Sequence, residues 1–158
     1  MSPRNATSTA NTRTVVADAN YRLYQGRFSP DGTWITFLAQ SLKDVDTSVL
    51  GVVRAAGGKW TALTVAKMWL DKPRWGPDGR TIYFISNRQS GFFDVWGLPF
   101  DPVSGKASGE EFRVTRTESP GRTISGAPAS ELGVSSTRLV VPIVESKGNV
   151  WVLDGVSR

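Results

Sequence analysis

The chain has 158 residues, enough for one domain with a buried core, and its 39% apolar and 21% charged residues are typical of a soluble globular protein. It contains neither cysteine nor histidine, which excludes disulfides, thiolate nucleophiles, the Ser-His-Asp triad and histidine-ligated zinc. The net charge of +5 comes from scattered basic residues without a run of like charges, so nucleic-acid binding is not expected.

The glycine and proline content, 16 and 9 residues, favours a turn-rich β protein over a helical bundle. No apolar run approaches the roughly 20 residues of a membrane span. The first residues, 1–12, are polar and lack the apolar core of a signal peptide, so they are expected to form a disordered leader. The compartment stays open on these grounds, with the cytoplasm as the default.

A short strand is predicted next, at residues 13–16. The sequence contains two Pro-Asp-Gly turns, which begin at Pro30 and Pro77. The predicted strand precedes the first turn by about as many residues as Leu63 precedes the second. We therefore interpret it as a lone fourth strand that stands ahead of the first complete repeat.

The same pattern occurs twice, as RFSPDGTWITFLA from Arg27 and as RWGPDGRTIYFIS from Arg74, 47 residues apart. Proline presets φ, aspartate bonds back to its own backbone and glycine supplies a positive φ, so each Pro-Asp-Gly predicts a tight turn. An alternating apolar strand follows each turn. A third strand with a central glycine, Gly51 or Gly97, and a fourth strand ending on threonine complete each copy.

Four short strands in about 45–50 residues are the sequence signature of a β-propeller blade. The predicted blades cover about 21–64, 70–115 and 124–154. In the third, Ser135-Ser136-Thr137 replaces the Pro-Asp-Gly turn, and no fourth strand follows. The predicted fold is all-β, a partial β-propeller of about three four-stranded antiparallel blades in the order D-ABCD-ABCD-ABC.

Three blades do not close a ring, because propellers typically have about 4–8. We therefore expect covalent neighbours in a longer chain, or a homodimer that completes a six-bladed ring. An arc that persists as a strained monomer is the remaining alternative.

Two stretches, FSPDGTWITF and WGPDGRTIYFISNRQSGFFDVWGLPFDPVSGK, resemble the WD-like repeats of TolB-type β-propellers. The resemblance covers nearly all of 13–154, and the third repeat departs from it at the turn. FDPVSGKASGEEFRVT and NVWVLDGVSR are most similar to the carboxyl-terminal end of bacterial regulator- or kinase-associated propellers. The resemblance implies a module that binds proteins or peptides, and it adds the periplasm as a possible compartment.

Four aspartates are candidate metal ligands. Asp31 and Asp78 belong to Pro-Asp-Gly turns, and Asp44 and Asp46 belong to a polar loop. Calcium needs six to eight oxygens from several close ligands, so turn and solvated-loop roles are favoured for all four. No metal and no cofactor are predicted.

Two arginines and three apolar residues are candidates for a binding surface. Arg27 and Arg74 lie on the innermost strands, where they would reach the central channel or form ion pairs between blades, with Asp71 as one partner. Met68 and Trp69 lie in the segment that links two blades, and Phe92 lies at a loop tip. The repeat-equivalent tryptophans Trp75, Trp96 and Trp151 are expected in the core.

Nucleophile elbows, phosphate loops and zinc-protease motifs are absent from the sequence. Together with what the resemblance implies, this predicts a non-catalytic module for protein or peptide interaction. A regulatory or gating domain of a larger enzyme (a kinase, transcriptional regulator or peptidase) and a small-ligand sensor that uses the channel are the alternatives.

Overall fold

The computed structural model describes residues 12–67, 69–88, 91–117, 121–124, 131–145, 147–148 and 152. Thirteen β-strands are found among them, and all strand pairs are antiparallel. The all-β class is confirmed. Among these residues, no helix has the length and apolar character that crossing a membrane requires.

The first sheet is a meander of four strands that pair in chain order. It occupies the stretch predicted for the first blade. Its strands are β1 (Tyr21–Phe28), β2 (Trp34–Ser41), β3 (Ser48–Arg54) and β4 (Thr61–Ala66).

The second sheet repeats this order for three strands and then differs. Its third strand pairs with two other strands. One is a two-residue strand that follows the turn at 102–105, and the other is the predicted fourth strand, which is shorter than expected. The strands are β5 (Leu70–Trp75), β6 (Thr81–Ser86), β7 (Asp94–Asp101), β8 (Lys106–Ala107) and β9 (Phe112–Arg113).

The third predicted blade requires correction, because its described residues form two separate two-stranded pairs rather than one sheet. The predicted second strand is broken at Pro142, which has no N–H group to donate to a ladder. The predicted third strand, with Trp151, lies outside the described residues. The four short strands are β10 (Arg122–Ile124), paired with β13 (Ile143–Glu145), and β11 (Gly133–Val134), paired with β12 (Leu139–Val140).

The lone strand predicted at 13–16 is also corrected, because this segment forms no strand. Val15 and Val16 instead pack on the outer face of the first sheet. Arg13 donates hydrogen bonds to the carbonyls of Ala55 and Ala56, at 2.6 and 3.1 Å. The segment therefore covers a sheet face instead of extending a sheet edge.

Both Pro-Asp-Gly turns have the predicted geometry. Gly32 and Gly79 have φ values of +72° and +65°, which only glycine adopts without strain. Each glycine N–H donates to the carbonyl three residues earlier, Ser29 or Gly76, at 2.9 Å. The turns therefore set the register of β1 with β2 and of β5 with β6.

Side-chain alternation distributes the core over three layers, which lie outside the first sheet, between the first and second sheets, and between the second sheet and the third segment. Trp75 and Trp96 are buried in the middle layer, as predicted. The full set of buried side chains there is Trp34, Leu38, Leu50, Val52, Leu70, Trp75, Ile82, Phe84, Trp96, Leu98 and Phe100.

Aromatic rings join the two complete sheets. Phe100 makes edge-on contacts with Trp34 and Trp75, with centroids 5.5 and 5.0 Å apart. The Arg54 guanidinium lies 3.9 Å above the Trp34 ring. Such aromatic pairs contribute about 0.5–1.5 kcal/mol each beyond the area they bury.

The two third-strand glycines are not structurally equivalent, contrary to the sequence alignment. Gly51 pairs with Phe37, but Gly97 pairs with Tyr83, the residue before the repeat equivalent of Phe37. A one-residue offset turns a side chain to the opposite sheet face. The two glycines therefore make room for aromatic rings on different sheet faces. The Trp60 ring lies close to Gly51, and the Phe112 ring lies close to Gly97.

Gly51→Ala is expected to lower the free energy of unfolding by about 1–3 kcal/mol, since overpacking a core costs that much. A methyl carbon at residue 51 would lie 2.9 Å from Phe37 Cζ and 3.0 Å from Trp60 Cε3. Urea unfolding followed by tryptophan fluorescence measures the change. Gly26→Ala is the matched control in a strand, because its methyl carbon would meet only Ile35 Cγ2, at 3.6 Å. Equal effects of the two substitutions would contradict this account.

Candidate functional site

Two strained residues occupy equivalent places on the innermost strands. Gln25 and Lys72, 47 residues apart, have φ values of +56° and +52°. Each lies at a bulge, where the register shifts between Tyr24 and Arg27 in β1 and between Asp71 and Arg74 in β5. Glycine normally fills such left-handed positions, and other residues there cost of order 1–3 kcal/mol.

A buried polar cluster connects these two bulges. The Gln25 side-chain amide donates to Asp71 Oδ1 at 2.6 Å and accepts from the Lys72 backbone N–H at 2.8 Å. The Lys72 ammonium lies 3.7 Å from Asp71 Oδ1, and both side chains are at least nine-tenths buried. Asp71 Oδ2 is buried and has no hydrogen-bond partner among the described residues. One glutamine thus ties the first sheet to the second through a buried carboxylate.

Tyr24 extends this cluster toward the core. Its ring packs against the layer between the two sheets. Burial raises the pKa of its hydroxyl, and the Asp71 carboxylate raises it further. The phenol therefore stays neutral at physiological pH.

The two candidate arginines have different surroundings. Arg27 is exposed, and Nη1 donates to the Gly26 carbonyl at 3.0 Å. Arg74 is largely buried and forms an ion pair with Glu131, just before β11. The structure thus gives Arg74 an ion pair between blades, with Glu131 rather than Asp71 as its partner. A channel-binding role for either arginine stays a prediction.

A cleft of about 580 Å³ opens at the opposite end of the sheets from the Pro-Asp-Gly turns. The loop between β2 and β3 forms one wall, and the connection from β4 to β5 forms the other. Its described lining residues are Gln40, Asp44, Val45, Asp46, Ser48, Lys67, Trp69 and Asn87.

Trp69 is the predicted contact residue that the structure places in this cleft. Its side chain is 50% exposed, and its backbone N–H donates to Asn87 Oδ1 at 3.2 Å. Met68 lies outside the described residues. Phe92 is half-buried and does not line the described part of the cleft.

One of the two loop aspartates, Asp44, organises the loop. Asp44 Oδ2 accepts the Thr47 hydroxyl at 2.8 Å, and this hydrogen bond is the main cause of the lowered pKa of Asp44. Asp46 is exposed, and its carboxylate accepts no hydrogen bond from the described residues. Across the described chain, no group of three or more potential metal ligands occurs.

Sequence reasoning missed Gln25 and Lys72, and it named Asp71 only as a possible ion-pair partner of the arginines. Gln25, Lys72 and Asp71 occur at a spacing of 47 or 46 residues, so the repeat offset could have singled them out. Asp94, the first residue of β7, was missed as well. Its buried carboxylate accepts from Arg113 Nε at 3.0 Å and from the Thr115 hydroxyl at 2.8 Å, which holds the last part of the second sheet in place.

Consecutive four-stranded meanders whose first strands lie side by side define a β-propeller architecture. In the partial ring described here, β5 contacts both β1 and β11. The innermost strands therefore follow one another around a common axis.

Known structures agree with this fold. The chain is similar to a TolB-like protein from Agrobacterium tumefaciens (20% identity, 81% of this chain and 47% of that one, TM-score 0.52). It is also similar to a puromycin hydrolase (18% identity, 84% of this chain and 22% of that one, TM-score 0.56). A prolyl endopeptidase is similar as well (21% identity, 82% of this chain and 20% of that one, TM-score 0.51). No protein-family model and no curated protein matches the chain.

The comparisons confirm the TolB-type β-propeller resemblance as a resemblance of fold. The chain spans about half the length of the TolB-like protein and about a fifth of each of the other two structures.

Gln25→Ala is expected to lower the free energy of unfolding by about 1.5–3 kcal/mol, the range for hydrogen bonds to charged groups. The substitution keeps the left-handed backbone but removes the amide donor from Asp71. Denaturant unfolding measures the loss. Gln40→Ala is the control, because that amide donates only to the Val45 carbonyl near the surface, and a change within about 0.5 kcal/mol is expected. A similar small loss at Gln25 would contradict the tie between sheets.

Asp31 is expected to make the fold acid-sensitive. Hydrogen bonds from the Ser29 hydroxyl and from the Thr33 N–H and hydroxyl lower its pKa from 3.8 to about 2. Its contribution to stability is therefore present above about pH 4 and is lost as the pH falls toward 2. Asp31→Asn should flatten the loss of unfolding free energy over that range.

Asp78→Asn is the comparison variant, since among the described residues Asp78 accepts only the Arg80 N–H in the equivalent turn. Thermal unfolding at several pH values separates the two variants. Identical pH profiles for both would show that the additional hydrogen bonds of Asp31 have no effect.

Proposed function

We propose that this chain is a β-propeller module that binds another protein or a peptide, with no reaction of its own. A single observation carries the proposal, namely the half-exposed Trp69 on the wall of the cleft between the two complete sheets. Tryptophan is enriched among the residues that contribute most to binding, particularly where it can be buried in a pocket by the partner.

The surroundings of Trp69 support this proposal. Val45, on the same cleft, is 66% exposed, and Leu42 and Val65 are exposed at the same end of the first sheet. Apolar side chains grouped on a surface and rimmed by polar groups are typical of interaction sites. The cleft residues belong to loops, while the strands beneath them are held by the buried core, an arrangement that presents a binding surface on a rigid scaffold.

A gating or regulatory domain of a larger enzyme is the second candidate. A puromycin hydrolase and a prolyl endopeptidase are among the similar structures, and this chain matches about a fifth of each. In that case the chemistry would reside in another part of the protein. The cleft would then face a domain of the same protein rather than a separate partner.

A peptide-display library selected against the purified chain tests the proposal. We expect the selected peptides to bind the wild-type chain and to lose about tenfold or more of their affinity for Trp69→Ala, because an interface tryptophan commonly contributes at least that much. Fluorescence anisotropy with the labelled peptides measures the affinities.

Phe28→Ala is the matched control, since Phe28 is another exposed aromatic residue, at the far end of the first sheet near the Pro-Asp-Gly turn. The affinities of the selected peptides for Phe28→Ala should stay within about twofold of those for the wild-type chain. If no peptide is enriched, or if the enriched peptides bind Trp69→Ala as tightly as wild type, the cleft is not the binding site.

A further inference from the structure

We propose that the Trp69 cleft recognises a lysine or arginine side chain of its partner. This inference rests on the proposed function, because it specifies the chemistry of what the same cleft binds. The cleft combines an aromatic ring and an exposed aliphatic wall with a carboxylate that has no partner among the described residues, and a long cationic side chain needs both kinds of contact.

The apolar wall fits the stem of such a side chain. Trp69 and Val45 both line the cleft and both expose half or more of their side chains. Lysine and arginine bury their methylene groups on surfaces of this kind while the charged head stays in a polar environment. A cation over a tryptophan face is also attracted by the ring itself.

The carboxylates fit the charged head. Asp46 is exposed and accepts no hydrogen bond from the described residues, so its carboxylate is available. Asp44 is held ionised by its loop. Lys67 offsets Asp44 only weakly, because its ammonium lies 3.8 Å away at the end of an 83% exposed side chain.

The sign of the charge separates this site from the rest of the molecule. The described lining carries two aspartates and one lysine, whereas the whole chain has a net charge of +5. An acidic partner would be repelled by the aspartates of the cleft. A purely apolar partner would bury the exposed Asp46 carboxylate without compensation.

Four peptides of the form acetyl-Gly-Xaa-Gly-amide, with arginine, lysine, leucine or glutamate at the centre, test the proposal. The ¹⁵N-labelled chain is titrated with each peptide, and the indole N–H resonance of Trp69, assigned with Trp69→Phe, is followed by NMR. We expect a saturable shift with arginine and lysine, a weaker one with leucine and none with glutamate. Raising the salt concentration should weaken the binding of the arginine and lysine peptides only.

Two substitutions change the charge of the cleft in opposite directions. Asp46→Asn should lower the affinity for the arginine peptide about threefold, as expected for an exposed ion pair. Lys67→Ser should raise that affinity by a similar factor. Neither should alter the leucine peptide. Glu110→Gln is the matched control, because it removes an exposed carboxylate that does not line the cleft, and it should change no affinity.

The outcomes distinguish a failure of this inference from a failure of the proposed function on which it rests. Equal affinities for the arginine and leucine peptides, or no effect of either charge substitution, would overturn the recognition of a cation. The proposed function would survive that result if display-selected peptides still required Trp69. No shift from any of the four peptides would also overturn the inference.

Discussion

The contact between the two complete sheets is the interaction on which the structure depends. A four-stranded meander of this size has two apolar faces and cannot bury either one alone. Packing the sheets face to face buries Leu38, Leu50 and Phe84 in one layer and sets the Phe100 ring against Trp34 and Trp75. The strands, the bulges and the cleft at the loop end all have their relative positions only because this layer is formed.

A polar tie supplements the apolar layer at its inner edge. Gln25 adopts a left-handed conformation at a cost, and its amide then reaches both the Asp71 carboxylate and the Lys72 N–H of the next sheet. Apolar packing tolerates small rotations between sheets, whereas hydrogen bonds to a buried carboxylate do not. The bulges therefore hold the innermost strands of the two sheets in one arrangement.

Sequence reasoning succeeded where local chemistry decides the structure. The Pro-Asp-Gly turns, the strands that follow them and the burial of Trp75 and Trp96 all follow from turn preferences and from alternation. It failed where two distant segments meet. The opposite faces of Gly51 and Gly97 depend on strand register, and the cleft of Trp69 depends on how two sheets pack, and neither can be read from one segment. The break at Pro142 was foreseeable, because proline has no N–H group to donate within a strand.

The two outer faces of the arc differ in a way that bears on ring closure. The outer face of the first sheet is covered by Val15 and Val16, and the adjoining Trp60 donates to Asp18 Oδ2 at 2.9 Å. A blade from a second copy, or from a longer chain, would reach that face only after displacing this segment. The third segment, in contrast, leaves Val140 and Ile143 exposed. The six-bladed ring of two copies, which remains a proposal, therefore requires the first face to give up its own cover, and its formation should be opposed by the bonds that hold Arg13 to the carbonyls of Ala55 and Ala56.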